Sequence, residues 1–327
     1  MKNNAKRWIA VGLALVILLG SSLSGFNQDK KEEIGMSYLN KLGKQALVDE
    51  EVLSGTNTKE KIKVVDLSGV IQSGSASDFV ISDLKAAGED PAVKGVILSV
   101  NSPGGSVYVS EQIAKEIKNL KAKNIPVYSV MREMAASGGY YVSAPTDRIY
   151  ASNETLTGSI GVIMQMYSLQ GLFEKYGIKE QNITSGKMKD AGSQGRNLTD
   201  EERKYFQDLV NSAYKRFVKI VADGRGMSEA DVKKIADGRV YDGSQALANG
   251  LVDKIGDLDM AIEDMTKENK LTDPVVVSSS SFQPSLMSFF QKAKDYRQGA
   301  SDLAIIKEFM DKNTLSPMYL YGGAYGK

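Results

Sequence analysis

The sequence contains no histidine and no cysteine among its 327 residues. Without cysteine the chain forms no disulfide, iron-sulfur cluster or structural zinc site of the usual kind, and without histidine the common catalytic zinc sites are excluded too. Ser-His-Asp and Cys-His catalytic arrangements are excluded for the same reason. An activated serine in this chain therefore has to pass its proton to a lysine, a carboxylate or the chain's own amino terminus.

Net charge is almost absent as well, since 41 basic residues are balanced by 40 acidic ones. Such a chain has no general attraction for nucleic acid, and we expect no nucleic-acid partner. An oxygen-ligated magnesium or calcium site remains possible, but the sequence contains no calcium loop of the DxDxDG type. It also lacks a phosphate loop and a dinucleotide fingerprint. We therefore expect neither a metal nor another cofactor.

Charged residues are missing from residues 8–26, which read WIAVGLALVILLGSSLSGF. This length is close to the roughly 20 residues that span a bilayer. Three basic residues precede the run: Lys2, Lys6 and Arg7. The positive flank predicts that residues 1–7 stay in the cytoplasm and that the rest of the chain lies outside it. We predict an uncleaved single-pass anchor, with a cleaved signal peptide as the alternative, because the most apolar part is only of signal-peptide length.

The chain beyond the apolar run divides into three parts by pattern. Residues 27–57 are charged and weakly periodic, which is typical of a short helix and stalk. Residues 58–282 alternate β-branched runs with segments of helical spacing, which predicts an α/β domain with buried parallel strands. Within this domain, residues 167–186 read as an amphipathic helix followed by a strand. Residues 283–327 read as a mixed apolar helix and a tail.

Ser137 lies between two alanines and two glycines in the stretch MREMAASGGYYVSAP, residues 131–145. Such small neighbours let a substrate carbonyl approach closely, and the glycines let the chain turn sharply into a helix. The free N–H groups and positive dipole end of that helix would lie near the serine oxygen. Taken alone, AASGG is equally typical of close packing between a helix and a strand.

A second glycine pair follows a β-branched run in NSPGGS, residues 101–106. Glycine at such a corner lets backbone N–H groups point at a developing oxyanion, which is worth on the order of 3 kcal/mol per donor. By itself this pair is also typical of an ordinary turn.

Two lysines, Lys187 and Lys189, are candidate bases in SGKMKD, residues 185–190. Free lysine has a pKa of roughly 10.4, so a lysine base must be desolvated or placed near other positive charge or dipoles. Both lysines lie on one face of an extended segment, and their spacing does not choose between them. Most lysines in proteins are simply solvated surface residues.

Taken in order, NSPGGSV, AASGGYYVSAP, TGSIGV, SGKMKDAGS and DGRVYDGSQALANGLVDKIG resemble the motifs of the signal peptide peptidase A family. The resemblance covers roughly residues 58–256. Members of this family are membrane-bound Ser-Lys peptidases with a fold like that of the Clp protease and crotonase enzymes. Motifs that match in family order are a far more specific signal than any one of them.

The resemblance implies a role for each matching residue. Ser137 corresponds to the nucleophile, Lys189 to the general base, and the backbone N–H of Gly104 to an oxyanion donor. Ser159, in TGSIGV, matches a family serine that orients the lysine amine. These matches favour Lys189 over Lys187. They imply that residues 58–282 are a Ser-Lys peptidase domain without a metal.

The resemblance further implies cleavage of remnant signal peptides by an extracytoplasmic domain held at the cell membrane. It also implies a ring-like homo-oligomer in which the lysine of one subunit completes the serine site of the next. Several apolar residues are candidates for such contacts: Phe289, Phe290, Met318, Tyr319, Leu320 and Tyr321. Alternatively, the proline-led tail could lie in a peptide groove as a self-inhibitor or substrate.

The sequence departs from the family pattern at one place, and two alternative functions fit parts of it. Relatives usually have a glycine shortly before AASGG, where this chain has Arg132 and Glu133, and a charged pair there would alter substrate preference. A crotonase-like acyl-CoA enzyme would share the fold and the glycine turn but is usually soluble and needs a carboxylate in its site. A catalytically inactive membrane scaffold would have no clear structural need for both Ser137 and Lys189.

Overall fold

The computed structural model describes residues 48–281 and 317–320. The predicted cytoplasmic segment and anchor, residues 1–26, lie outside the described residues, as do residues 27–47 and most of the tail predicted at 283–327. Within the described ranges, no helix combines the length and apolar character that crossing a membrane requires.

The site described below lies entirely within the compact unit that begins at residue 50. The strands, in chain order, are β1 (Val48–Ser54), β2 (Asn57–Ser68), β3 (Val93–Ser102), β4 (Gly104–Ser106), β5 (Val127–Ala136), β6 (Arg148–Ala151), β7 (Leu156–Gly158), β8 (Val240–Tyr241), β9 (Lys254–Ile255), β10 (Pro274–Ser281) and β11 (Met318–Leu320). The helices are α1 (Ser75–Ala87), α2 (Val107–Ala122), α3 (Gly138–Ser143), α4 (Gln170–Lys175), α5 (Asp200–Arg225), α6 (Glu229–Ile235), α7 (Gly243–Ala248) and α8 (Leu258–Glu268).

The main sheet is largely parallel and has the strand order β1-β10-β2-β3-β5-β6-β9. Strands β10, β2, β3, β5, β6 and β9 pair in parallel with their neighbours. At one end of the sheet β7 pairs in parallel with β5 and antiparallel with β8. A separate small sheet joins β4 and β11 in antiparallel fashion.

Helices cover both faces of the sheet. Successive residues of its central strands are mostly apolar and point to opposite sides, so both faces have to be buried. Val65 and Leu67 of β2 belong to a large buried cluster with α1, α2, α3 and α5. Ile62 and Val64 of the same strand belong to a smaller cluster with α8 on the other side. The predicted α/β domain with buried parallel strands is confirmed.

The sheet extends into the segment predicted as a stalk. Strand β1 occupies the last part of that segment and lies beside β10 at one edge of the sheet. Glu50 of β1 forms ion pairs with Lys61 at 3.1 Å and Lys63 at 3.4 Å on β2. The charged residues of β1 thus lie on an edge strand, where charged residues discourage pairing with other chains.

Residues 167–186 differ from the predicted helix and strand. Only Gln170–Lys175 is helical, and this helix, α4, buries none of its residues. Residues 178–186 form no strand. The predicted strand does not form, because a strand needs a neighbouring strand to satisfy its backbone groups, and this segment joins neither sheet.

Candidate active site

Three of the four predicted site residues lie at one edge of the main sheet. Ser137 follows β5, Ser159 follows β7, and Gly104 begins β4 just after β3 ends. Strands β3, β5 and β7 are neighbours and run parallel, so their carboxyl ends meet at the same edge. Ligand sites of open α/β sheets form at this edge. The strand order thus brings together residues that are far apart in the sequence.

Ser137 forms a strained corner between β5 and α3. Its φ of 53° and ψ of −113° lie in a region that residues other than glycine rarely adopt. Its N–H donates a hydrogen bond to the Gly158 carbonyl at 2.8 Å, and its own carbonyl accepts one from the Tyr141 N–H at 2.8 Å. Strain of this kind costs about 1–3 kcal/mol and clusters at active sites. A serine on a sharp strand-to-helix turn is how many α/β hydrolases present their nucleophile.

The Ser137 side chain is buried and unpartnered. The residue is 1% exposed, and its Oγ has no hydrogen-bond partner among the described residues. Leaving a buried hydroxyl unsatisfied costs about 1–3 kcal/mol. A cost of this size at a strained residue indicates a functional rather than a packing role, because alanine would fill the same space without it.

The backbones of Gly104 and Gly138 are in contact beside this serine. Gly104 has a φ of 100°, and a Cβ atom added to it would lie 2.5 Å from the Gly138 nitrogen. Gly138 opens α3, so its N–H has no acceptor within the helix. The Gly104 N–H donates to the Ser102 Oγ at 3.1 Å. The glycines therefore leave a cleft lined by backbone, in which the Gly138 N–H is the donor closest in sequence to Ser137.

Ser159, like Ser137, has a positive φ. Its φ is 48°, it is buried, and its N–H donates to the Arg239 carbonyl at 2.8 Å. The hydrogen bond from Ser137 to Gly158 joins the two corners, so the serines lie on adjoining turns.

Residues 317–320 of the tail, which was predicted as a self-inhibitor or substrate, lie against this cleft. Strand β11 pairs antiparallel with β4, with Tyr319 opposite Gly105 and Leu320 opposite Gly104. On its other side Met318 exchanges two backbone hydrogen bonds with Ile163, at 2.9 and 3.0 Å. The chain is thus held as an extended strand between β4 and residue 163, in the manner of a peptide added to a sheet.

The Tyr319 side chain fills a pocket that sequence reasoning missed. Its ring centroid lies 4.7 Å from that of Tyr141 and 4.6 Å from that of Phe217. Its hydroxyl donates to the Ala213 carbonyl at 3.1 Å. Ala213 and Phe217 are four residues apart on α5 and share one face, which is the only signal in the sequence for their pairing. Nothing local connects that face to Tyr141.

The two candidate lysines have different surroundings. Lys187 forms an ion pair with Glu201 in the first turn of α5. Lys189 is exposed, lines an open cavity of about 690 Å³, and has no ion pair or side-chain hydrogen bond with the described residues. Because the Oγ of Ser137 has no partner either, the two predicted dyad residues of one chain are not hydrogen-bonded to each other.

Comparison with known proteins identifies the class. The model of peptidase family S49 matches residues 119–272, which include Ser137, Ser159 and Lys189. The chain belongs to this family, as its motifs predicted, and it is a serine peptidase, a hydrolase. This membership does not support the acyl-CoA alternative.

Individual relatives carry more specific names than the family. A protein of Enterococcus faecium named "Putative signal peptide peptidase SppA" is 39% identical over 343 aligned residues, which cover 98% of this chain and 99% of that protein. "Protease 4" of Salmonella typhi is 36% identical over 68% of this chain but only 37% of its own length. "Serine protease SPPA, chloroplastic" of Arabidopsis thaliana is 34% identical over 71% of this chain and 36% of its own length.

Proposed function

We propose that this chain is a membrane-anchored endopeptidase with a Ser-Lys dyad, which degrades remnant signal peptides after signal peptidase has released them. The observation that carries the proposal is the position of Ser137, whose unpartnered hydroxyl lies on a strained corner beside the cleft of Gly104 and Gly138. The anchor is the apolar run at residues 8–26, which keeps the catalytic domain on the extracytoplasmic side.

The chemistry needs only side chains and backbone of this protein. Neutral Lys189 takes the proton of the Ser137 hydroxyl as Oγ attacks a peptide carbonyl. The lysine ammonium then gives its proton to the leaving amine. Water resolves the acyl-enzyme in the second half, with lysine again as the base. Ser159 hydrogen-bonds the lysine amine and orients it.

The oxyanion of the tetrahedral intermediate is stabilised by backbone N–H groups. Gly138 supplies one donor directly, because its N–H is free at the start of α3. The Gly104 N–H donates to the Ser102 hydroxyl when no substrate is bound. A negatively charged oxygen accepts a stronger hydrogen bond than a hydroxyl does, so the oxyanion draws this N–H away from Ser102.

The lysine comes from a neighbouring copy in a ring-like homo-oligomer. An exposed Lys189 and an unpartnered Ser137 within one chain support this arrangement. The stretch that carries Lys189 also exposes large apolar side chains: Ile163, Leu172, Tyr176, Ile178 and Ile183. Contiguous exposed apolar side chains mark protein interaction sites.

The test is cleavage of a signal-peptide-like fluorogenic substrate by the full chain and by three variants. We expect Ser137→Ala and Lys189→Ala to abolish turnover. Lys187→Ala should retain it, because Lys187 is committed to Glu201. A fully active Ser137→Ala variant would mean that the nucleophile lies elsewhere.

The source of the lysine is tested by mixing the two inactive variants. Subunits of Ser137→Ala still carry Lys189, and subunits of Lys189→Ala still carry Ser137. If the dyad forms between neighbours, co-assembly restores part of the activity. If each chain supplies both residues, the mixture stays inactive.

A further inference from the structure

The segment that carries Lys189 is fastened to the first turn of α5 by an arginine. Both terminal nitrogens of the Arg196 guanidinium donate to the carboxylate of Glu202, at 2.8 and 2.6 Å. Glu202 is 3% exposed, and it also accepts a hydrogen bond from the Thr199 N–H at 2.9 Å. A two-point contact of this kind fixes the orientation of the guanidinium as well as its position.

The same guanidinium holds the residue that directly follows Lys189. It donates to the Asp190 carbonyl at 3.3 Å, and its nitrogen lies 3.3 Å from an oxygen of the Asp190 carboxylate. Two backbone hydrogen bonds complete the turn, from Lys189 to Gly186 at 3.0 Å and from Ser193 to Asp190 at 3.0 Å. The main chain at residue 190 is therefore tied to a buried carboxylate through a single side chain.

We infer that Arg196, held by Glu202, is a positioning residue that fixes the main chain from which Lys189 extends. The inference rests on the proposed function, in which Lys189 is the base. An exposed lysine on a segment outside the core has many rotamers to lose before its amine meets a serine. Fixing the backbone beside it removes part of that cost and keeps the amine within reach of Ser137 in a neighbouring copy.

Both partners of the contact between Arg196 and Glu202 stay charged at neutral pH. Hydrogen bonds from Arg196 and from the Thr199 N–H lower the pKa of the Glu202 carboxyl to about 2. The pKa of Arg196 is raised, chiefly by the same contact with Glu202. Charged groups near Lys189 include Asp190 and Arg196 on its own segment, Glu180, which lines the same cavity, and Glu202 on α5.

Stability of α5 alone does not explain the arginine. The helix already has a capping box, in which Thr199 and Glu202 satisfy each other's backbone N–H groups. Glutamine at the third helical position serves a capping box as well as glutamate does, so Glu202→Gln keeps the cap and loses only the charged contact. The remaining hydrogen bond of Arg196 goes to the Asn197 carbonyl in the same loop.

The experiment compares Arg196→Ala, Arg196→Lys and Glu202→Gln in the full chain. It measures kcat, KM and the pH profile of kcat/KM on the signal-peptide-like substrate, together with melting temperature and assembly size. Lys219→Ala is the matched control, because it breaks an exposed ion pair with Asp223 farther along the same helix.

We expect kcat of Arg196→Ala to fall by about 10²-fold with little change in KM, since misplacement by about 1 Å has an effect of this size. Arg196→Lys should recover part of the loss by keeping the charge. Lys219→Ala should match the wild type.

Two outcomes overturn the inference. One is an unchanged kcat in Arg196→Ala and Glu202→Gln. The other is a loss of activity that disappears when the assay is run well below the melting temperature of the variant, or that comes with smaller assemblies, because Arg196 would then be structural. Lys189→Ala separates these results from the dyad itself. If it is inactive while Arg196→Ala is fully active, only the positioning role fails. If it is fully active, the proposed base and its positioning fail together.

Discussion

The hydroxyl of Tyr319 donates a hydrogen bond to the Ala213 carbonyl, 3.1 Å away and 106 residues earlier in the chain. The ring above that hydroxyl is fully buried between Tyr141 and Phe217. The adjoining backbone pairs with β4, where Gly104 lies beside the proposed nucleophile. A substrate peptide that pairs with β4 would have to displace this segment.

Removal of residues 316–327 should therefore increase peptidase activity. A tethered competitor acts at an effective concentration in the millimolar range, so its loss should lower the apparent KM several-fold while kcat changes little. Steady-state kinetics on the fluorogenic peptide measure the effect. Tyr319→Ala should act in the same direction, because it empties the pocket and leaves the chain length unchanged. Unchanged activity in the deletion variant would count against a role for the tail.

Gly104→Ala should abolish turnover. A Cβ atom there would lie 2.1 Å from the Tyr319 carbonyl oxygen and 2.5 Å from the Gly138 nitrogen, so it blocks the cleft that an oxyanion would occupy. Gly69→Ala is the matched control, because Gly69 also has a positive φ, 83°, but nothing lies within 4 Å of an added Cβ. Both variants should lose about 1–2 kcal/mol of stability from backbone strain, and Gly104→Ala should lose more because its Cβ also meets backbone atoms. Only Gly104→Ala should lose activity, and equal activity losses would contradict this.

The contact between Arg196 and Glu202 should make the free energy of unfolding depend on pH in acidic solution. The pKa of Glu202 is lowered from 4.5 to about 2 in the folded chain. The stabilisation that the charged Glu202 gives the folded chain is thus fully present above the unfolded-state pKa of 4.5, and it is lost as pH falls toward 2. Melting temperatures of wild type and Glu202→Gln should differ most above pH 4.5 and converge near pH 2. Glu201→Gln, which removes an exposed carboxylate from the same turn, is the matched control.

Lys63→Ala should strongly destabilise the domain. Lys63 and Asp83 are 4% and 3% exposed and form an ion pair at 2.6 Å between β2 and α1. Removing the lysine leaves a buried charge without its partner, which costs about 3–5 kcal/mol in chemical denaturation.

The matched control for Lys63→Ala is Arg239→Ala. Arg239 forms an exposed ion pair with Asp237, and such surface pairs contribute about 0–1 kcal/mol. The double variant Lys63→Met/Asp83→Leu should recover most of the stability that the single change loses, because it buries no charge. Equal losses in the single variant and the control would show that the buried pair is not important.

Local signals predicted the parts of the fold that depend on local interactions. The Thr199 capping box marked the start of α5, and the β-branched runs marked β2, β3 and β5. The resemblance to the signal peptide peptidase A family, rather than a local signal, implied that Ser137 and Gly104 belong to one site. The pairing of β11 with β4 could not be predicted from the sequence. It joins residues more than 200 positions apart through backbone hydrogen bonds that carry no sequence signature.

The choice between the lysines shows the same limit. Lys187 and Lys189 are equivalent by spacing, and only the tertiary contact of Lys187 with Glu201 distinguishes them physically. Arg132 is a similar case, because it forms an exposed ion pair with Asp66 on a neighbouring part of the sheet at 3.0 Å. Its influence on substrate preference stays a prediction, and the composition of the stretch alone did not reveal that partner.

Strand β4 presents bare backbone to whatever lies beside it, because two of its three residues are glycine. A partner is recognised there by its peptide groups, and only a chain with a free, extended edge can offer them. In a folded protein those groups are already committed to its own helices and sheets. The open edge of β4 thus favours unstructured peptides over folded proteins, so that the conformation of a chain selects what pairs there.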